Sequence, residues 1–392
     1  MFGISDNTKK IEHSKIRKMF NKALEYENPI SFTIGEPDFT ASEEIVEAAC
    51  KAIREGKSKY SENAGIMPLR KAVSDYLRKE INVEYSPKNE IVITTGAMGG
   101  IFQALKVLLN PGDEVIVNEP CWTNYIQQIQ MCEGIPVSVC CDLDNGFSLD
   151  IEKIEAAVTD RTRAIIINSP CNPTGAVLDK EVLQKLADLA KKHDLLVISD
   201  EVYKHIIFDD VEFTSIASFE GMKERTLVMD SFSKTFAMTG FRVGYVAGPE
   251  FLISQITKLQ ENICACVAMP CQYAAVAALE GSRQHLDMMV NSYKERRDYV
   301  YNRIKEMPLV KYEKSKGTFY AFFSIKETGM SSEEFAIKLL EEKQVVVVPG
   351  DAFGEYGEGY VRLSYASSME SLEKGLDAME DFLRKVAEQN GY

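Results

Sequence analysis

Leu227-Val228-Met229-Asp230-Ser231-Phe232-Ser233-Lys234-Thr235-Phe236-Ala237-Met238-Thr239-Gly240-Phe241-Arg242-Val243-Gly244 runs from an apolar triplet into a polar segment that holds one lysine, flanking hydroxyls and an arginine. The triplet reads as a buried strand. A lysine just past a buried strand loses solvent, and a desolvated ammonium has a lowered pKa. Its neutral amine can form an imine with an aldehyde. The neighbouring hydroxyls and Arg242 suit a phosphate group. Taken alone, the same lysine also fits a polar surface loop. The groups carried by the other strand ends decide between the two.

Outward from this stretch, residues 90–250 alternate short apolar runs with amphipathic ones. Ile91–Ile93 precedes a predicted helix over 99–109, Val115–Val117 precedes one over 125–132, and Ala164–Ile167 precedes one over 180–193; Leu195–Ile198 comes next. Such alternation predicts βαβ units on a mostly parallel sheet with helices on both faces. The last third changes character: 283–306 reads as a charged helix, 318–324 and 360–365 as strands, and 368–388 as an amphipathic helix. The expected organisation is a large α/β domain over 46–282 and a small α+β domain built from both termini, 1–45 with 283–392.

In a parallel α/β sheet, ligands bind beyond the carboxyl ends of the strands. After Ile93 comes Thr94-Thr95-Gly96-Ala97-Met98-Gly99-Gly100, a glycine-rich turn whose free N–H groups can hold an anion. After Val117 comes Trp122, the only tryptophan; after Ile167, Asn168-Ser169-Pro170-Cys171-Asn172-Pro173-Thr174-Gly175; after Ile198, Asp200-Glu201-Val202-Tyr203. Each has a bland account as a turn, a helix cap or a core aromatic. Together, an anion nest, a flat aromatic, an amide, a carboxylate with a phenol and a lysine describe a pocket for a phosphorylated aromatic aldehyde.

With these residues in view, the sequence resembles the class I aminotransferases, enzymes of fold type I that use pyridoxal 5′-phosphate. The matching motifs are Gly35-Glu36-Pro37-Asp38-Phe39, Lys59-Tyr60 with Gly65 and Leu69-Arg70, Asn172–Gly175, Asp200–Tyr203, Ser231–Gly244 and Val361-Arg362-Leu363-Ser364. Asn168–Asn172 and Ser233–Gly240 look especially like the archaeal aromatic enzymes within the aspartate and aromatic amino acid subgroup. The resemblance implies transfer of an amino group from an L-amino acid, aromatic, aspartate or broader, to a 2-oxo acid such as 2-oxoglutarate. In it Lys234 forms the internal aldimine and then serves as the catalytic base, Asp200 pairs with the pyridine nitrogen, and Asn172 and Tyr203 bond the ring oxygen. It also implies that Trp122 stacks on the ring, while Ser231, Ser233, Arg242 and the Ala97 and Met98 N–H groups hold the phosphate. Arg362 and Gly35 would bind the substrate carboxylate, with Trp122 and Asn172 beside it. Tyr60 would reach a phosphate across the interface of a homodimer. Some aspartate-specific relatives place a lysine where this chain has Met98, so the methionine shifts the expectation toward apolar or aromatic donors.

Composition bounds the rest. The 392 residues include 59 acidic and 45 basic ones, for a formal charge of −14, which disfavours nucleic acid or an anionic membrane as partner. The polar first 20 residues do not read as a signal peptide, and no apolar run reaches the ~18 residues of a membrane span. Nine cysteines without framework spacing suggest a reducing cytoplasm, and Cys264 and Cys266 read as core thiols with no metal expected. A carbon–sulfur lyase acting by β-elimination would use the same lysine and is the alternative activity. No G-x-G-x-x-G comes after the first strand, which disfavours a nicotinamide enzyme.

Overall fold

The computed structural model describes residues 3–33 and 35–391. Its strands are β1 (Ile30–Ser31), β2 (Ile91–Thr94), β3 (Glu114–Glu119), β4 (Ile135–Cys140), β5 (Thr162–Asn168), β6 (Leu196–Asp200), β7 (Thr226–Ser231), β8 (Gly244–Ala247), β9 (Tyr320–Ser324), β10 (Val345–Val346), β11 (Val348–Pro349) and β12 (Tyr360–Ser364). The apolar runs become a seven-stranded sheet of order β2-β8-β7-β6-β5-β3-β4. β8 runs antiparallel to β2 and β7, and every other pairing in this sheet is parallel.

Leu227, Val228 and Met229 are essentially inaccessible, as are Ile165 and Val197 on the neighbouring strands. Each such side chain contributes roughly 1.5–3 kcal/mol of burial. Burial on both faces explains the unbroken apolar runs.

Because β8 returns antiparallel, residues 232–243 form a connection at the carboxyl edge of the sheet. Ser231 at the end of β7 sits opposite Gly244, which also sits opposite Thr94 at the end of β2. The ends of β2, β3, β5, β6 and β7 therefore share one edge.

The helix after β2 spans Gly96–Leu108, so the glycine-rich stretch is the helix's first turn rather than a turn preceding a helix at 99. Gly96, at φ +73°, lets the chain turn straight from strand into helix. Ala97, Ile101, Ala104 and Leu105 then fall on one buried face.

Near the carboxyl terminus, β11-β12-β9 forms an antiparallel sheet and β1 pairs in parallel with β10. Met19, Ala23 and Phe32 enter the same core as Leu339, Leu372 and Phe382, so the start of the chain packs with its end. Ile45 instead joins Leu69, Val73 and Ile93. Cys264 and Cys266 are part-exposed rather than core thiols: they close a helix at the surface, where Cys266 Sγ accepts from the Ser61 N–H at 3.4 Å.

Candidate active site

A cleft of about 600 Å3 opens at the carboxyl edge of the large sheet, bounded on its other side by Tyr320 and Arg362. Lys234, at the head of the β7–β8 connection, lines it together with Gly35, Ala97, Met98, Trp122, Asn172, Asp200, Tyr203, Ser231, Ser233, Arg242 and Arg362. Five strand ends, spread along the sequence from Thr94 to Ser231, converge there. Tyr60 does not: its side chain is 87% exposed and outside the cleft.

Lys234 Nζ donates to the Gly35 carbonyl at 2.5 Å. Burial among protein atoms lowers its pKa from 10.5 to about 8, with Arg362 and Arg242 adding to the effect and Glu36 and Asp200 opposing it. A sizeable neutral fraction thus exists near physiological pH.

The segment around the lysine is tied down from below. Asp230 Oδ1 accepts from the Ser231 N–H at 2.7 Å, while Asp230 Oδ2 accepts from Lys204 Nζ at 2.7 Å and the Tyr245 hydroxyl at 2.8 Å. All three side chains are buried, so the pair is not competed by water. Ser231 then caps the short helix Phe232–Thr235, its Oγ accepting from the Ser233 N–H at 3.1 Å. Ser231 Oγ lies 2.8 Å from Ser233 Oγ.

Arg242 adopts the left-handed conformation at φ +54° and donates from Nη1 to the Thr239 carbonyl at 2.9 Å. Its guanidinium lies against the amino end of the Gly96–Leu108 helix. A Cβ at Gly96 would come within 2.7 Å of Arg242 Nη2, and one at Gly244 within 2.7 Å of the Ala97 nitrogen. Bare glycines thus let a guanidinium, two serine hydroxyls and a positive helix end share one corner. That gathering of donors suits a phosphate.

Asp200 ends β6, buried, and accepts from the Tyr125 hydroxyl at 2.5 Å and the Val202 N–H at 3.3 Å. Burial raises its pKa to about 6, and the Tyr125 and Val202 hydrogen bonds hold it from going higher. A carboxylate in such a place favours a cationic N–H donor.

Across the cleft, Arg362 is buried in the central strand of its sheet. Arg362 alternates with Val361 and Leu363 along the strand, and both faces of β12 are covered. Arg362 donates to Asn172 Oδ1 at 2.9 Å and the Thr33 carbonyl at 2.8 Å, and stacks on Tyr320 at 4.3 Å and Phe353 at 4.8 Å. Its Nε is buried with no partner among the described residues. A guanidinium clamped on two sides with donor capacity left over is prepared for a carboxylate.

Asn172 also has its backbone held, its N–H donating to Asn168 Oδ1 at 2.8 Å. Tyr203 meets the Tyr320 hydroxyl at 3.0 Å, and Trp122 stands edge-on to Tyr125 with centroids 5.3 Å apart. Met98 is 39% exposed at the wall, so its side chain faces the cleft and not the helix packing. Tyr125, Tyr320 and Arg17 carried no signal in the sequence. Tyr125 lies three residues past Trp122 in a stretch that signals only a helix, and Tyr320 lies in a run that signals only a strand.

The family model for aminotransferase class I and II matches residues 27–379. The chain belongs to that family. Among relatives of this aminotransferase, an aspartate aminotransferase of Pyrococcus abyssi is 44% identical over 97% of this chain and 98% of its own length. An aromatic-amino-acid aminotransferase of Thermococcus litoralis is also 44% identical, over 97% and 98%. The crystal structure of an aromatic aminotransferase from Pyrococcus horikoshii superimposes with TM-score 0.90 at 42% identity, covering 94% of this chain and 100% of its own. The aspartate aminotransferase of Thermus thermophilus with maleate superimposes with TM-score 0.94 at 35% identity, covering 98% and 100%. These findings favour amino transfer over β-elimination. No helix among the described residues is long and apolar enough to cross a membrane.

Proposed function

We propose that this aminotransferase binds pyridoxal 5′-phosphate at the carboxyl edge of its large sheet, through Lys234, and takes aspartate and aromatic amino acids as donors, with a 2-oxo acid such as 2-oxoglutarate as acceptor. The observation that carries the reading is the meeting of a desolvated lysine with a buried carboxylate, a glycine-opened phosphate corner and a clamped arginine in one cleft. Both donor classes appear in the names of the relatives.

The residues present fit the cofactor. Arg242, Ser231, Ser233 and the Ala97 and Met98 N–H groups would hold its phosphate, Asp200 its ring nitrogen, Asn172 and Tyr203 its ring oxygen, and Trp122 its face. When bound, it supplies a carbonyl carbon for the lysine amine and a conjugated ring that withdraws electrons from the substrate's α-carbon. Asp200 keeps a negative charge in a buried place and so holds a proton on the ring nitrogen. Arg362 grips the α-carboxylate and, being tied to Asn172 and Thr33, orients it without rearranging. Lys234 would be the residue joined to the group, and its amine, part neutral near pH 8, would take up and return the substrate's α-proton at Nζ.

Several further features belong to the same proposal. The exposed Tyr60 supports a homodimer in which it completes the partner's phosphate site. The two core groupings around Phe382 and around Ile93 support a large unit and a terminal unit close to 46–282 and 1–45 with 283–392, with Ile45 and its helix Glu43–Arg54 on the large side. The free cysteines support a cytoplasmic location.

The test is a half-reaction. Purified holoenzyme, mixed with single amino acids, should convert its visible chromophore to the amine form with aspartate and with phenylalanine. Conversion by neither, or pyruvate release from cystathionine without any oxo acid at a faster rate, would overturn the assignment.

A further inference from the structure

We infer that Lys204, a buried lysine that does not line the cleft, is a positioning residue for the cofactor's phosphate: it holds Asp230 beneath Ser231 and cancels a negative charge that would otherwise lie behind the phosphate corner. The inference rests on the proposed function and adds to it a determinant of cofactor affinity that touches neither cofactor nor substrate.

Two buried carboxylates stand by Lys204, and only one of them needs it. Glu201 has hydroxyl donors of its own, Ser199 Oγ at 3.0 Å and Ser215 Oγ at 2.5 Å. Asp230 Oδ2 takes the Lys204 ammonium at 2.7 Å and the Tyr245 hydroxyl at 2.8 Å. The Lys204 and Asp230 side chains are 1% and 5% exposed, and the centre of the Tyr76 ring lies 4.8 Å from the ammonium. A lysine buried in such a place is costly unless its charge is used.

Asp230 stands directly behind the corner. Its Oδ1 accepts from the Ser231 N–H at 2.7 Å, and Ser231 Oγ in turn meets Ser233 Oγ at 2.8 Å. Across the β7–β8 pair Asp230 faces Tyr245 and Ser231 faces Gly244. A Cβ at Gly244 would come within 2.7 Å of both the Asp230 carbonyl oxygen and the Ala97 nitrogen, so Asp230 adjoins an N–H group of the corner. The same charge is felt further along the cleft: burial and, more weakly, Asp230 raise the Asp200 pKa. Lys204 comes one residue after Tyr203, so its single ion pair ties the segment carrying Asp200 and Tyr203 to the one carrying Ser231 and Lys234. Without the ammonium, an uncompensated anion would lie behind a site built for a phosphate dianion. Like charges repel strongly through an interior of low dielectric.

The experiment titrates the full-length protein, stripped of cofactor, with pyridoxal 5′-phosphate and with pyridoxal, which lacks the phosphate. The preference for the first over the second isolates the phosphate corner from the rest of the site. Lys204→Met should cut that preference about ten- to a hundred-fold, with pyridoxal affinity nearly unchanged. Lys204→Met combined with Asp230→Asn removes both charges yet keeps an acceptor for the Ser231 N–H, and should recover most of the preference. Inorganic phosphate, titrated as a competitor of pyridoxal 5′-phosphate, should follow the same order. If Lys204→Met does not fold, the double variant and Asp230→Asn alone bear the test: the latter leaves the cation, and its preference should equal or exceed that of the wild type. Equal losses on both ligands in Lys204→Met, no recovery in the double variant, or a lower preference in Asp230→Asn would overturn the inference. A wild-type protein that does not prefer pyridoxal 5′-phosphate over pyridoxal would instead overturn the proposed function, so the two are separable.

Discussion

Replacing Lys234 with methionine should abolish turnover and yet make the cofactor-free protein more stable. The folded protein holds this amine at a pKa of about 8 against an ordinary 10.5. At about 1.4 kcal/mol per pH unit, the protonated lysine therefore lowers stability by about 3 kcal/mol below pH 8. Methionine removes that deficit but also removes the hydrogen bond to the Gly35 carbonyl, worth about 1 kcal/mol. The net expectation is a gain of about 2 kcal/mol at pH 7. A depressed lysine pKa means the unfolded chain binds more protons between pH 8 and 10.5, so wild-type stability rises across that window and the gap between the two proteins closes. Trp122 is the only tryptophan, so its fluorescence during urea unfolding, at equal protein concentration and with cofactor stripped from both, gives the readout. A methionine variant less stable than wild type at pH 7, or a gap that stays constant to pH 10.5, would refute the reasoning.

Two other predictions concern the groups facing the lysine. Because Asp200 carries a pKa of about 6, raised by burial, affinity for pyridoxal 5′-phosphate should fall as pH drops through 6; Tyr125→Phe removes a hydrogen bond that lowers that pKa, so the midpoint should move upward in a spectroscopic titration of cofactor binding. Arg362→Lys cannot reach Asn172, Thr33 and a substrate carboxylate together, and should raise KM for aspartate and phenylalanine alike by about ten- to a hundred-fold, with steady-state kinetics as the check.

The central sheet was legible because its strands are buried on both faces, and such strands have little freedom to be anything but apolar. Their polar successors were legible for a related reason: the residues after Ile198 or Met229 must emerge at one edge of the sheet. The helix start at Gly96 was misplaced by three residues because the glycines that look like a loop are there to admit Arg242 and β8, a contact between segments far apart in sequence. Alternation alone gave Arg362 no address, since its burial depends on Phe353 and Tyr320 arriving from elsewhere in the chain. The resemblance named it; the pattern did not. Tyr125 and Arg17 carried no local signal at all. Each lies on a short amphipathic helix and acquires its meaning from which wall of the cleft that helix is fixed against.

The claim on which the rest depends is that Lys234 is the residue joined to the cofactor. Loading the protein with pyridoxal 5′-phosphate, reducing with borohydride and mapping the peptides tests it directly. A single pyridoxyl label on Lys234 is expected; a label on another lysine, such as Lys204, with Lys234 unmodified would rule the assignment out.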